Sequence, residues 1–240
     1  MRTLVIIPTY NEAGNIEAII KGVLEVSLEI DILIVDDNSP DGTANIVEDL
    51  SRTEKRLHLI CRTKKNGLGT AYVTGFRYAM EHGYDCVIEM DADFSHDPKD
   101  IVKFHKALND ADVVVGSRYA SGVSVLNWPM KRLLLSYAGN LFARYVTGVP
   151  VCDMTSGFKA FKIDALKKVN LESVRSNGYA FQVEMNVRAF RKGLKIKEVP
   201  IVFTERRVGV SKMSKKIVFE AVKIVLILGI GRIFRFLKSQ

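Results

Sequence analysis

Cysteine is scarce in this sequence. The chain of 240 residues contains three, Cys61, Cys86 and Cys152, and they lie far apart. An odd number at such spacing excludes a disulfide framework and a paired-cysteine metal site. Each is flanked by apolar or strand-like sequence, which predicts small buried side chains in a protein of a reducing compartment.

A long uninterrupted apolar run is also missing. Residues 214–240 are rich in apolar side chains, but the unbroken part, 224–231, is far shorter than the ~20 residues that cross a bilayer. Four charged residues interrupt the segment: Glu220, Lys223, Arg232 and Arg235. The pattern predicts an amphipathic helix, which either lies at a membrane interface or packs on the preceding domain.

Glycine-rich phosphate-binding loops are absent as well. No Gly-x-x-x-x-Gly-Lys-Ser/Thr motif occurs, and no Gly-x-Gly-x-x-Gly follows the first apolar run. This argues against a P-loop NTPase and against a Rossmann dehydrogenase. If the chain binds phosphates, a metal ion is the natural substitute for such a loop.

What the sequence does contain is a regular alternation of short apolar runs and amphipathic segments. The runs predict strands at 3–8, 30–37, 56–62, 86–90 and 112–117, and two further strands at 156–162 and 196–203, where the pattern is looser. Strands that alternate with helical segments are typical of an α/β fold with a doubly wound, mostly parallel sheet. Because no linker divides the chain, we expect one domain over residues 1–213, followed by the helix of residues 214–240.

Polar side chains follow these strands at their carboxyl ends, where open parallel sheets bind ligands. They are Pro8, Tyr10 and Glu12 after the first strand, Asp36 and Asp37 after the second, Asp91 and Asp93 after the fourth, and Arg118 after the fifth. We therefore predict a cavity lined by carboxylates and one guanidinium. Asp36 and Asp37 suit reading of a base or ribose, or alternatively a turn that caps the next helix.

An Asp-Ala-Asp triplet occurs twice, and its position separates the two copies. Asp91 and Asp93 end a predicted strand, whereas Asp110 and Asp112 precede one, at the opposite edge of the sheet. Carboxylates two residues apart on an extended segment can point the same way and suit Mg²⁺ or Mn²⁺. The first pair is thus the predicted metal site, with helix capping as the alternative, and the second is a solvated turn. We assign no role to the four histidines.

Taken together, these residues resemble family 2 glycosyltransferases, and within them the dolichyl-phosphate (polyprenyl-phosphate) mannose synthases. The matching stretches are ordered along nearly the whole chain: PTYNE (8–12), VDDNSPDGT (35–43), GLGTAY (67–72), EMDADFSHDP (89–98), GSRY (116–119), WPMKRLLLSYAGN (128–140), DMTSGFKAF (153–161), GYAFQVEM (178–185) and VPIVFTERRVGVSKM (199–213). The resemblance implies a GT-A-type nucleotide-sugar-binding fold and a catalytic domain over residues 1–213.

The resemblance also implies roles for individual residues. The expected GDP-mannose contacts are Pro8, Tyr10, Glu12, Val35, Asp37, Asp91, Ala92, Asp93, Arg118, Arg206 and Lys212. The expected metal ligands are Asp91, Asp93 and Ser95, a position where some relatives carry glutamine. The expected contacts of the acceptor phosphate are Arg118, Arg132 and Ser136. Asp91, Asp93, Arg118 and Arg132 are the expected catalytic residues.

The implied reaction is metal-dependent transfer of mannose, with inversion, from GDP-mannose to dolichyl or polyprenyl phosphate. The net charge of +8 fits anionic substrates. The basic residues cluster in the second half of the chain, which disfavours nucleic acid as the binding partner. We expect a peripheral enzyme at the cytoplasmic face of a membrane. A small membrane-anchoring protein is a candidate partner. Three alternatives stay open: another donor such as UDP-glucose, a silent nucleotide-sugar-binding subunit, and a nucleotidyltransferase.

Overall fold

A seven-stranded sheet forms the centre of the protein in the computed structural model, which describes residues 1–27, 29–174, 176–205 and 215–238, with the side chains of the last segment described for 219–230. The strands are β1 (Thr3–Thr9), β2 (Ile30–Asp36), β3 (Leu57–Cys61), β4 (Cys86–Glu89), β5 (Val113–Ser117), β7 (Lys159–Lys162) and β8 (Ile196–Pro200). Their order in the sheet is β3-β2-β1-β4-β7-β5-β8. All neighbours are parallel except β7, which is antiparallel to both β4 and β5.

Helices cover both faces of this sheet, so the predicted doubly wound, mostly parallel fold is confirmed. The helices are α1 (Ile16–Leu24), α2 (Thr43–Ser51), α3 (Leu68–Glu81), α4 (Ile101–Leu108), α5 (Met130–Thr147), α6 (Ile163–Lys168), α7 (Gly178–Arg191) and α8 (Lys215–Lys238). Side chains of β1 alternate between two cores: Val5 and Ile7 pack with α1, α2 and α4, whereas Leu4 and Ile6 pack with α3, α6 and α7. This follows from the two-residue period of a strand, since both faces are buried.

A short second sheet shapes the entrance to the carboxyl edge. Its strands are β6 (Val125–Leu126) and β9 (Phe203–Thr204), and they pair in parallel. The pairing holds the loop after β5 against the segment after β8. Trp128 thereby meets Phe203, with ring centroids 5.3 Å apart.

The C-terminal helix α8 packs on α5 and α7. Val225 enters a third apolar cluster with Ala143 and Val183. A side-chain carbon added at Gly229 would lie 2.5 Å from Val146 Cγ1, so this glycine allows the two helices to approach closely. Within the segments that the structure describes, no helix is long and apolar enough to span a membrane.

Candidate active site

A cavity of about 320 Å³ opens at the carboxyl edge of the sheet. It lies where β1, β2, β4 and β5 end, as expected for an open α/β sheet. It brings together nine of the residues singled out from the sequence: Pro8, Tyr10, Glu12, Asp37, Asp91, Ala92, Asp93, Arg118 and Arg132. Residues that are distant in the chain therefore meet in one place.

One end of the cavity is formed by the residues that follow β1 and β2. The carboxylate of Asp37 is paired with Arg62, whose guanidinium also donates to Thr70 Oγ1 and to the Gly67 carbonyl. Lys65 lies over the Tyr10 ring, with Nζ 3.6 Å from the centroid. Neither Arg62 nor Lys65 was singled out from the sequence, because a single basic residue in a polar loop carries no distinguishing pattern.

The Asp-Ala-Asp turn occupies the middle of the cavity. Ser95 donates its backbone N–H to Asp93 Oδ1 at 3.1 Å, and Phe94 adopts a positive φ of 60°. The backbone N–H of Asp91 donates to His96 Nδ1 at 3.2 Å. Because Nδ1 accepts this bond, the proton of the neutral ring resides on Nε2. The hydrogen bond to His96 thus stabilises the conformation of the turn.

His96 is a site residue that the sequence prediction missed. Its ring is buried, stacked on Phe158 at 4.7 Å and edge-on to Phe203 at 5.6 Å. Burial lowers the pKa of His96 to about 4, although the Asp93 carboxylate opposes this shift. Its place in the stretch EMDADFSHDP was the available signal, since it lies three residues after Asp93.

The two carboxylates suit a divalent cation whose remaining ligands come from a substrate. Both line the cavity, and Ser95 lies beneath them with a hydroxyl that has no hydrogen-bond partner among the described residues. Over that same part of the chain, no group of three or more His, Cys, Asp or Glu side chains could hold a metal. The donor set therefore fits Mg²⁺ or Mn²⁺ bound jointly with phosphate oxygens, and does not fit a closed protein-only site.

The second Asp-Ala-Asp triplet is a surface turn, as predicted. Asp112 accepts the backbone N–H of Lys195 at 2.8 Å, and Asp110 pairs with Lys197 at 3.7 Å. Neither residue lines the cavity.

Arg118 is fixed in the cavity wall by Asp153. Its Nε and Nη2 donate to the two carboxylate oxygens at 2.7 and 2.6 Å, and Nη2 also donates to Thr155 Oγ1 at 2.8 Å. Burial lowers the pKa of the guanidinium, but Asp153 more than offsets this effect, so the pKa is raised above its ordinary value. The result is a permanent, immobile positive charge.

Arg132 supplies a second cation from helix α5. Its Nη1 donates to Glu205 Oε1 at 2.6 Å, and its guanidinium carbon lies 4.2 Å from the centroid of a Trp128 ring. Ion pairing and cation–π contact together hold it near Arg118. The family resemblance implied that both arginines bind phosphate, and that role stays a prediction.

A narrow apolar groove of about 130 Å³ continues from the cavity. It runs between α5, α7 and α8 and shares four residues with the cavity: Arg118, Arg132, Thr155 and Tyr179. Its walls are mainly apolar, with Leu135, Phe142, Val183, Val222 and Val225 among them. The two arginines therefore stand at the junction of a polar cavity and an apolar groove.

Other predicted site residues lie elsewhere. Val35 is fully buried in the core and does not line the cavity, so in this arrangement it is not exposed to a nucleoside. Ser136 lines the groove, where its hydroxyl accepts from Tyr119 Oη at 2.8 Å. Ser95 is buried below the cavity wall. Arg206 and Lys212 lie outside the described residues.

The sequence profile described as "Glycosyl transferase family 2" matches residues 4–169, which include the first four polar strand ends. This chain belongs to glycosyl transferase family 2. Two relatives are each 44% identical to this family 2 chain. One is the undecaprenyl-phosphate mannosyltransferase of Micrococcus luteus, with 92% of this chain and 91% of the relative covered. The other is the polyprenol monophosphomannose synthase of Mycolicibacterium smegmatis, with 98% and 89% covered.

Solved structures agree on the fold. Glucosyl-3-phosphoglycerate synthase from Mycobacterium tuberculosis, in complex with Mn²⁺, UDP-glucose and phosphoglyceric acid, superposes with a TM-score of 0.69 over 93% of this family 2 chain and 79% of that chain. The identity is 18%, so this likeness extends to the fold alone.

Proposed function

We propose that this protein transfers mannose from GDP-mannose to a polyprenyl (dolichyl) phosphate at a membrane surface, with a divalent cation and with inversion of the anomeric carbon. One observation carries the proposal: a single cavity has carboxylates at its centre, two fixed arginines at one side, and an apolar groove that begins at those arginines. Both 44% identical relatives bear names that state a polyprenyl-phosphate mannosyltransferase activity.

The donor would occupy the side formed by β1, β2 and β4. Glu12 and Asp37 suit the N–H groups of a guanine base or the hydroxyls of ribose, since carboxylates only accept hydrogen bonds. Lys65 offers a cation near the same side. The diphosphate would then reach Asp91 and Asp93.

Asp91 and Asp93 would hold Mg²⁺ or Mn²⁺ together with diphosphate oxygens. When bound, such an ion neutralises the charge that develops on the departing nucleoside diphosphate. His96 and Ser95 keep the turn in the shape that presents both carboxylates to the cavity.

The acceptor phosphate would bind to Arg118 and Arg132. A lipid phosphate is already anionic near neutral pH, so its oxygen can attack the anomeric carbon without a general base. The arginines bring this anion close to a second anion, the donor, at an enforced orientation. In this arrangement the donor and acceptor phosphates would lie at different sides of the sugar, so direct displacement would invert the anomeric centre.

The groove would receive the first part of the lipid chain. Next to it, α5 and α8 expose many large apolar side chains: Met130, Leu134, Leu135, Tyr137, Leu141, Tyr145, Phe219, Val222, Leu226, Ile227 and Ile230. Exposed apolar patches of this kind favour contact with a membrane or a partner. We propose that this face, termed the α5–α8 face, lies in the cytoplasmic surface of a membrane, where polyprenyl phosphates reside.

A panel of donors against a panel of acceptors tests the proposal. Purified protein with Mn²⁺ is given labelled GDP-mannose, UDP-glucose or GDP-glucose, each with undecaprenyl phosphate, dolichyl phosphate or a soluble sugar acceptor. We expect a mannosyl lipid phosphate and free GDP from GDP-mannose, and EDTA should abolish the product. Transfer only from another donor, release of diphosphate instead of GDP, or no transfer at all would contradict it.

A further inference from the structure

Gln182, in the second turn of α7, is a buried polar residue of the cavity wall. It is 2% exposed, and neither Oε1 nor Nε2 has a hydrogen-bond partner of good geometry within the part of the chain that the structure describes. The carboxamide does lie near the Glu89 carboxylate, where it opposes the effect of burial, which raises the pKa of Glu89. A buried carboxamide whose polar atoms lack good partners is destabilising, because it has lost its hydrogen bonds to water without replacing them. Such a group in a native protein calls for an explanation, and a bound ligand is one.

The carboxamide belongs to the cavity wall beside Asp91. A side-chain carbon added at Gly157 would lie 3.6 Å from Asp91 Oδ2 and 3.9 Å from Gln182 Nε2. The carboxylate and the carboxamide therefore approach the same point, and the glycine leaves that point open. All three residues line the cavity.

The backbone of α7 holds Gln182 in this place. The buried Lys159 donates from Nζ to the Gln182 carbonyl at 2.8 Å. The preceding residue, Phe181, stacks on Tyr72 with centroids 5.8 Å apart. A side chain on such a rigid element is suited to recognition because it needs little ordering when a ligand binds.

We infer that Gln182 hydrogen-bonds one hydroxyl of the transferred sugar and thereby contributes to sugar specificity. This inference rests on the proposed function, in which the sugar lies between the diphosphate at Asp91 and the acceptor phosphate at Arg118. A sugar hydroxyl both donates and accepts, and a carboxamide offers one group of each kind. A polar site built for a hydroxyl rejects analogues that lack it, since its own buried groups then stay unpaired.

A competing explanation is that Gln182 hydrogen-bonds the buried Glu89 carboxylate, directly or through water. Neither Glu89 oxygen has a hydrogen-bond partner of good geometry among the described residues, and the groups that lower its pKa against burial are Lys159 and Gln182. The two explanations differ in how the loss of activity depends on the donor. If Gln182 only supports Glu89, its removal should reduce activity equally for donors that lack different sugar hydroxyls.

The test combines Gln182→Met, which removes the polar atoms at similar volume, with GDP-mannose analogues that each lack one hydroxyl. We expect kcat/KM with GDP-mannose to fall roughly 10- to 100-fold in Gln182→Met. With one of the analogues, the kcat/KM of wild type should fall by a similar factor, and that of the variant should not fall further. The substitution and the missing hydroxyl would then remove the same hydrogen bond. The Kd of GDP, which has no sugar, should be unchanged.

Asn186→Leu is the matched control. Asn186 is a buried carboxamide one turn further along α7, and it does not line the cavity. The fall in kcat/KM caused by Asn186→Leu should combine independently with the fall caused by each analogue. Gln182→Leu repeats the test should the methionine variant fail to fold.

Additive losses for all analogues in the Gln182 variants, or weaker GDP binding, would overturn the inference while wild-type mannose transfer stands. Failure of wild type to transfer mannose from any donor would instead overturn the proposed function.

Discussion

At the residue scale, the Arg118–Asp153 pair is the point on which the cationic side of the cavity depends. Asp153 is fully buried and accepts the Arg118 backbone N–H as well as two guanidinium bonds. In Asp153→Asn the arginine stays charged and buried without its counter-ion. We expect the free energy of unfolding to fall by about 3–5 kcal/mol, measured by urea denaturation.

Asp164→Asn is the control for this prediction. Asp164 also pairs with a cation, Lys167, but its side chain is 85% exposed. Solvent screens such a pair, so the change should stay within about 0.5 kcal/mol. Equal effects of the two substitutions would contradict the central place given to Arg118.

His96 gives the stability of the apo protein a pH dependence. Its folded pKa of about 4 lies below the ordinary value of 6.5, so the unfolded chain binds the proton more tightly. The stabilising contribution is therefore complete above pH 6.5 and is lost as the pH falls toward 4. In His96→Asn, whose carbonyl can still accept the Asp91 N–H, the free energy of unfolding should fall less steeply across that window. Parallel pH curves for the two proteins would refute this.

The aspartates could be predicted from the sequence and the glutamine could not, for a physical reason. Asp91 and Asp93 follow an unmistakable apolar strand, and the ends of parallel strands meet at one edge. Gln182, His96 and Lys65 enter the cavity from a helix and two loops, where position in the chain does not determine direction in space. Val35 shows the converse, because a residue beside a site residue in sequence points into the core on a strand.

At the scale of elements, the distance between α8 and α5 determines the width of the apolar groove. A side-chain carbon at Gly229 would approach Val146 Cγ1 to 2.5 Å and the Val146 carbonyl oxygen to 3.1 Å. Gly229→Ala should therefore push α8 away and change the groove, which both helices line. We expect the KM for polyprenyl phosphate to rise several-fold, measured at saturating donor.

Gly22→Ala is the control, on helix α1. There the added carbon would lie 3.5 Å from Pro98 Cγ, an ordinary contact. Alanine in a helix is favoured over glycine by roughly 0.5–1 kcal/mol, so this variant should be slightly more stable and kinetically normal. An unchanged KM in Gly229→Ala would show that the groove does not receive the lipid.

The α5–α8 face predicts a specific loss of membrane binding. Leu134 and Ile227 are 61% and 56% exposed, so replacing both by glutamate should leave folding intact. We expect the double variant to lose flotation with vesicles of anionic phospholipid, since charges are costly in the acyl region. Val102→Glu is the matched control, because Val102 is 59% exposed on α4. Equal flotation of wild type and the double variant would argue against this face.

The sequence predicted which elements form but not every pairing. Buried parallel strands read as continuous apolar runs, which is why β1, β2 and β4 were found. The run that forms β7 carried no sign of its antiparallel direction, since direction depends on the path of the connecting loops. The pairing of β6 with β9 was missed because two-residue strands are too short to show a period.

At the scale of the whole molecule, opposite charges are divided within one cavity. The net charge of +8 does not reveal this, because the carboxylates gather at the ends of β1, β2 and β4 and the arginines stand beyond β5. In the proposed function, this division would let one fold bind a metal-bearing donor and an anionic lipid at the same time, which a uniformly basic surface would not achieve.

The KM for polyprenyl phosphate in Arg132→Met and Asp93→Asn, measured side by side at saturating GDP-mannose, tests this division most directly. We expect a KM raised about tenfold or more in Arg132→Met, and a KM close to wild type with a strongly reduced kcat in Asp93→Asn. A normal KM in Arg132→Met together with a raised KM in Asp93→Asn would contradict it.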